Sequence, residues 1–264
     1  MDIKEKAFLT NPFELLGKLF INFFEDVGRY GQMLFRMVIS LGDIKTYIPL
    51  MIEQMNVIGN RSLPIILLVS AFSGMVTAVQ SAYQMSAWVP VYLVGSVVGE
   101  SIVLELSPVV IALVLSGRVG ASIAAEIGTM KVTEQIDALE SLAFNPISYL
   151  VIPRIIAGVI MFPVLVIFGD FIGIVGGWLI ALITMDVSTY DFFRGFRQFF
   201  IPFDAVYGLI KSIFFGFTIT SIACFQGFRA EGGARGVGKV TTNAVVISCV
   251  FILVLDYALA SVLL

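Results

Sequence analysis

Residues 63–83 read LPIILLVSAFSGMVTAVQSAY and carry no charged side chain. A helix of about twenty such residues crosses a hydrocarbon core of roughly 30 Å. Lipid offers the backbone neither donors nor acceptors, so a lone segment at that depth must be helical. Working outward, four more apolar runs follow, at about 91–116, 155–182, 206–225 and 244–264. The second is longer than a crossing needs, and the sequence predicts that it begins as a re-entrant or tilted helix. Between the first two, 84–90 reads as a break, with Trp88 and Tyr92 as interfacial aromatics.

Composition agrees with five crossings. Hydrophobic residues make up 58 % of the 264-residue chain and charged residues 13 %, where a soluble domain needs roughly 25 % to wet its surface. Mean hydropathy is +0.98. No polar stretch is long enough to build a soluble domain, so the whole of 1–264 is expected to form one all-α integral membrane domain. The net charge of -3 argues for no polyanionic partner, and no nucleic acid is expected. Histidine is absent, which removes the commonest general base and metal ligand. No GxSxG or HExxH motif is present. No catalysis, metal or cofactor is expected of this chain. Cys224 and Cys249 lie in apolar runs and read as buried free thiols. The N-terminus lacks the charged-then-apolar pattern of a signal peptide.

Before the first span, Asn11-Pro12-Phe13-Glu14 reads as a helix start with Asn as N-cap, Pro at N1 and Glu at N3. At 100° per residue Glu14, Lys18, Glu25 and Arg29 share one side, and Leu16, Leu19, Phe20, Phe23 and Val27 the other. Such a helix, over about 11–40, belongs in the membrane interface. A surface helix on a soluble core is the alternative, and no such core is evident.

Lysine and arginine placement sets the orientation. Lys4, Lys6, Lys18, Arg29, Arg36, Lys45 and Arg61 precede the first span. Arg118, Lys131 and Arg154 follow the second span, and Arg229, Arg235 and Lys239 follow the fourth. Only Arg194 and Arg197 are counted on the other side. The N-terminus is expected in the cytoplasm and the C-terminus outside.

Gly233-Ala234-Arg235-Gly236-Val237-Gly238-Lys239-Val240 nearly spells a P-loop. Val240 stands where a magnesium-binding Ser or Thr is required, and no parallel strand precedes it. A flexible polar turn over 228–242 is the expectation, so any ATP must be bound by another chain. Gly95 and Gly99, and the row Gly169, Gly173, Gly177, are spaced for close helix contact, within one subunit or across a dimer seam.

Acids inside the apolar runs are costly, at least ~2.5–3.5 kcal/mol each at the bilayer centre. Glu100, Glu105, Asp170 and Asp256 are four such residues. Glu105, three residues before the helix-bending Pro108, is read as cavity-facing. Five residues apart on an α-helix, Glu100 and Glu105 project about 140° from each other and are not expected to line one narrow stripe. Asp256 is assigned either to the outer interface or to a pairing within the bundle.

The segment 118–140, RVGASIAAEIGTMKVTEQIDALE, is too polar to span and too apolar for a linker. It reads either as a loop helix on the membrane or as a helix that transmits force from a cytoplasmic partner, with Ile123, Ile127 and Met130 available for docking.

Read whole, this segment resembles the permease family of MCE-linked ABC transporters, the MlaE/YrbE group. The likeness runs through Glu105-Leu106-Ser107-Pro108, Gly117-Arg118-Val119-Gly120, Ala124-Ala125-Glu126-Ile127-Gly128-Thr129-Met130 and Val132-Thr133-Glu134-Gln135-Ile136-Asp137. It continues in Tyr149-Leu150-Val151-Ile152-Pro153-Arg154 and in 236–246 leading to Asp256. The resemblance implies a non-catalytic permease subunit of an ATP-driven lipid transporter in the bacterial inner membrane, with phospholipid as cargo. It implies a homodimer with a lipid cavity lined by Glu100, Leu104, Glu105 and Pro108. It further implies a coupling helix in which Arg118, Glu126, Gly128, Thr129, Met130, Glu134, Gln135 and Asp137 meet an ABC ATPase. A periplasmic MCE-domain protein and a small cytoplasmic accessory protein are the other implied partners. Leu104 stands where the family commonly has arginine beside the glutamate, which takes away an ion-pair mate for Glu105. A stand-alone proton-coupled carrier or channel is the competing reading, and a passive membrane scaffold a third.

Overall fold

In the computed structural model, residues 12–40, 42, 47–84, 90–185 and 187–264 are described. Expectations placed on Lys4, Lys6, Asn11, Lys45 and Trp88, and on the side chains of Glu14, Leu16, Lys18, Leu19 and Phe23, lie outside the described residues. Every regular element among the described residues is a helix. The N-terminal helix α1 is Pro12–Ile39. Five long helices have the length and hydropathy of membrane spans: α2 (Ile48–Gln84), α3 (Leu93–Val132), α5 (Ile147–Thr184), α7 (Pro202–Phe228) and α8 (Ala234–Leu263). Two short helices, α4 (Gln135–Ser141) and α6 (Thr189–Phe199), join α3 to α5 and α5 to α7.

The expected first span is found as the α-helix Leu63–Gln84, within a longer helical run, and two other expectations are corrected. That longer run starts at Ile48 and passes through a π-helical turn at Asn56–Asn60, where Asn60 Nδ2 donates to Asn56 Oδ1 at 2.8 Å. The second run is not re-entrant: α3 is a single helix of 40 residues, with π turns at Ile102–Leu106 and Ser116–Gly120. At 1.5 Å per residue it is about 60 Å long, so its second half must project beyond the hydrocarbon. The glycine-rich turn over 228–242 is mostly helix too. The chain turns at Gly232 and Gly233, both with positive φ, and α8 begins at Ala234.

Helix packing explains the glycines. A Cβ on Gly74 would collide with the Gly173 carbonyl, and one on Gly177 would meet the Gly74 oxygen at 3.1 Å. Gly158 and Gly216 likewise face each other's backbones between α5 and α7. Gly95 and Gly99 abut Phe192 and Phe196 of α6. Both glycine rows are thus used inside one subunit, where small residues let backbones approach. The main apolar core runs between α3, α5 and α7 and includes Ile111, Leu115, Ile127, Phe162, Leu165 and Phe215.

Helix α1 lies against this bundle by its C-terminal half. Asp26 pairs with Arg229 at 2.9 Å, and Tyr30 Oη hydrogen-bonds Ser221 Oγ at 2.7 Å while its ring meets Phe225 edge-on. Burial pushes the Tyr30 hydroxyl's pKa up. Glu25 and Arg29 form the expected i,i+4 pair at 2.6 Å, and Phe20, Phe24, Val27 and Phe35 remain exposed, as an interfacial helix requires. Both cysteines are free.

Candidate functional site

Between α2 and α3 lies a groove of about 1030 Å³. Leu68, Phe72 and Val76 of α2 form one wall, and Glu100, Leu104 and Glu105 of α3 the other, with Leu264 at the rim. Both glutamates line it, contrary to the 140° argument. The π turn at Ile102–Leu106 spends an extra residue on one turn, its hydrogen bonds closing i to i+5. That brings residues five apart onto one side. Ser96 Oγ donates to Glu100 Oε1 at 3.1 Å. Pro108 does not line the groove: it is buried at the start of the following α-helical segment, close to Gly208 of α7.

Behind Glu105 stands a residue that the sequence reading passed over. Lys211, on α7, is wholly buried, and its Nζ lies 2.5 Å from Glu105 Oε2 and 2.6 Å from Asp256 Oδ1 on α8. It also donates to the Leu104 carbonyl at 3.3 Å and lies 4.7 Å from the centre of the Tyr207 ring. One cation between two carboxylates ties α3, α7 and α8 together at the depth of the groove. Asp256 pairs within the bundle. Glu105 does have an ion-pair mate, supplied by Lys211 from another helix where the neighbouring residue is Leu104. The signal was available: intramembrane acids require partners, and Lys211 is the cation in the fourth apolar run. Asp170 is not part of this cluster, and its Oδ1 has no hydrogen-bond partner among the described residues.

At the far end of α3 the expected coupling helix is not one element. Residues 118–132 continue α3, and the chain then turns at Glu134, whose φ of 61° is left-handed, before α4 begins. A second positive φ at Ala143 leads the chain back toward α5. This makes a corner that projects from the bundle. The eight residues assigned to coupling divide accordingly. Thr129, Glu134, Gln135 and Asp137 are exposed, and Asp137 pairs with Lys131 at 2.9 Å. Met130 packs partly on the core. Gly128 is buried, and a Cβ added there would lie 3.2 Å from Ala230 and 3.5 Å from Val240. Arg118 donates to Ser62 Oγ and so joins α3 to α2. Glu126 pairs with Arg154 at 2.8 Å, and the buried Arg154 also donates to the Leu150 carbonyl at 2.7 Å. Arg118 and Gly128 therefore hold the corner's base, and the exposed face is the tip.

Comparison with known proteins bears directly on these two ends. Residues 51–262 match the family model described as permease MlaE. The chain belongs to the MlaE permease family. It is 38 % identical to the intermembrane phospholipid transport system permease protein MlaE of Haemophilus influenzae, over 97 % of this chain and 98 % of that one. It is 43 % identical to a probable ABC transporter permease protein of Rickettsia prowazekii, over 92 % of this chain and 94 % of the relative. A probable ABC transporter permease protein of Synechocystis is 41 % identical over 79 % of the chain and 80 % of its own length. Membership makes this chain a multi-pass, non-catalytic membrane component, and the matched region includes both walls of the groove and the corner.

Proposed function

We propose that this chain is the permease subunit of an ATP-driven phospholipid transporter of the bacterial inner membrane. The observation that carries the reading is the groove between α2 and α3, apolar along its walls and charged at Glu100 and Glu105. Apolar walls suit acyl chains, and a small number of placed polar groups suits a headgroup. The Haemophilus relative's name supplies the cargo class.

In this reading two copies face each other across their grooves, and a periplasmic MCE-domain protein receives or delivers lipid on the outer side. An ABC ATPase seats on the tip formed by Thr129, Glu134, Gln135 and Asp137. Helix α3 is the mechanical link, because one continuous helix carries Glu105 at one end and the tip at the other. The N-terminus and α1 then lie on the cytoplasmic side, and the C-terminus is periplasmic.

The test is reconstitution. Co-purification with an ATPase subunit, followed by ATP-dependent movement of labelled phospholipid in proteoliposomes, is the expected result. Transport by this chain alone, without ATPase or ATP and abolished at Glu105, would replace the reading with that of a stand-alone carrier or channel.

A further inference from the structure

A second cavity, of about 550 Å³, opens at the opposite end of the molecule from the groove. From Glu105 to Lys131 the separation is twenty-six residues of continuous helix, about 39 Å. The cleft lies between α1, the end of α7 and the corner after α3. Arg29 and Arg36 of α1, Lys131 of α3 and Arg229 just past α7 line it, and Glu140 is the one acid among the lining residues. Arg29 and Arg36 are seven residues apart, two turns of helix, and so lie on one face of α1. The floor is apolar, with Met33 and Ile39 on one side and Phe228 on the other.

Three of the four cations already have carboxylate neighbours: Arg29 with Glu25, Lys131 with Asp137 and Arg229 with Asp26. All three pairs are substantially exposed, and such pairs contribute little to stability, so a better anion can replace them at small cost. Arg36 lines the cleft with no ion pair among the described residues, and Glu140, the one acid in the lining, makes none either. A basic rim over an apolar floor, beside a helix built to lie in the interface, matches the two halves of an anionic lipid. Guanidinium groups bind phosphate through paired, charge-assisted hydrogen bonds, and basic pockets of this kind between membrane helices suit anionic headgroups.

We propose that this cleft binds an anionic phospholipid, its phosphate held by Arg36 and Arg29 and its chains lying over Met33 and Phe228. The lipid cements α1 to the bundle and to the base of the corner. It is a resident lipid, distinct from any cargo in the groove.

The complex with its ATPase subunit, in nanodiscs of phosphatidylcholine with a minor fraction of phosphatidylglycerol, is extracted in mild detergent and its retained lipid measured by mass spectrometry. Wild type should retain phosphatidylglycerol enriched over the nanodisc ratio. Arg36→Gln and Arg29→Gln should each reduce that enrichment about fivefold, the effect of one basic residue near an anionic surface, with unchanged Tm in zwitterionic lipid. Equal retention by wild type and both variants would overturn the proposal. So would loss of the ATPase subunit from Arg36→Gln without loss of lipid, which would give the face to the partner protein. Displacement of the effect by inorganic phosphate alone would assign the site to free phosphate and also overturn it.

Discussion

Lys211 and Arg154 are two buried cations, each joined to a glutamate that is half exposed, and they sit at opposite ends of the same device. Lys211 is 0 % exposed against 51 % for Glu105, and Arg154 is 5 % exposed against 52 % for Glu126. The difference lies in what else each cation holds. Arg154 has one carboxylate and the Leu150 carbonyl, so charge balances within the pair. Lys211 is shared by Glu105 and Asp256, so two carboxyl groups compete for one cation, and Glu105 is the one that faces the groove. The pair at the corner reads as a joint that fixes α3 to α5. The cluster at the groove reads as a joint that also presents charge to a ligand.

Breaking the two joints should therefore have unequal consequences. The largest effect is expected from Lys211→Met, which leaves two acids uncompensated at membrane depth. Removing one partner of a buried pair costs about 3–5 kcal/mol, read as a large fall in Tm and in the yield of folded protein. Adding Glu105→Gln and Asp256→Asn should recover most of that loss, since no orphan charge then remains. Failure to recover would mean that Lys211 does more than pair.

Glu126→Gln should cost less, about 1–3 kcal/mol, because Arg154 keeps the Leu150 carbonyl and the half-exposed carboxylate site admits water. A Tm drop equal to that of Lys211→Met would remove the distinction between the two joints. The smallest structural effect is expected at the tip. Glu134 already has a left-handed backbone, which glycine adopts without strain, so Glu134→Gly should leave the unfolding free energy within about 0.5 kcal/mol of wild type. If the tip seats an ATPase, the same change should lower lipid-stimulated ATP hydrolysis while the complex stays folded. Unchanged coupling would remove Glu134 from the interface.

Much of this architecture was legible in the sequence. Five spans follow from uninterrupted apolar runs, because the bilayer permits little else. The intramembrane acids advertised themselves through their cost; Glu105 lies on the groove and Asp256 against Lys211, the second of the two settings that the sequence left open for Asp256. What was hidden depended on phase and on distance along the chain. A π turn carries no residue signature, and it alone brings Glu100 and Glu105 to one side. Lys211 lies more than a hundred residues from Glu105, so only the third dimension makes them partners. The two-part corner rests on a left-handed Glu134, a conformation that sequence assigns to glycine or asparagine before glutamate.

The central claim is that the groove beside Glu105 is the lipid path. A photoreactive amino acid at Leu104 tests it directly in the detergent-purified complex, with Phe171, an exposed residue of α5 away from the groove, as the control position. The account predicts phospholipid cross-linked at residue 104, retained through purification and diminished when ATP is supplied, with little at residue 171. Equal lipid adducts at both positions, or adducts at 104 indifferent to ATP, would contradict it.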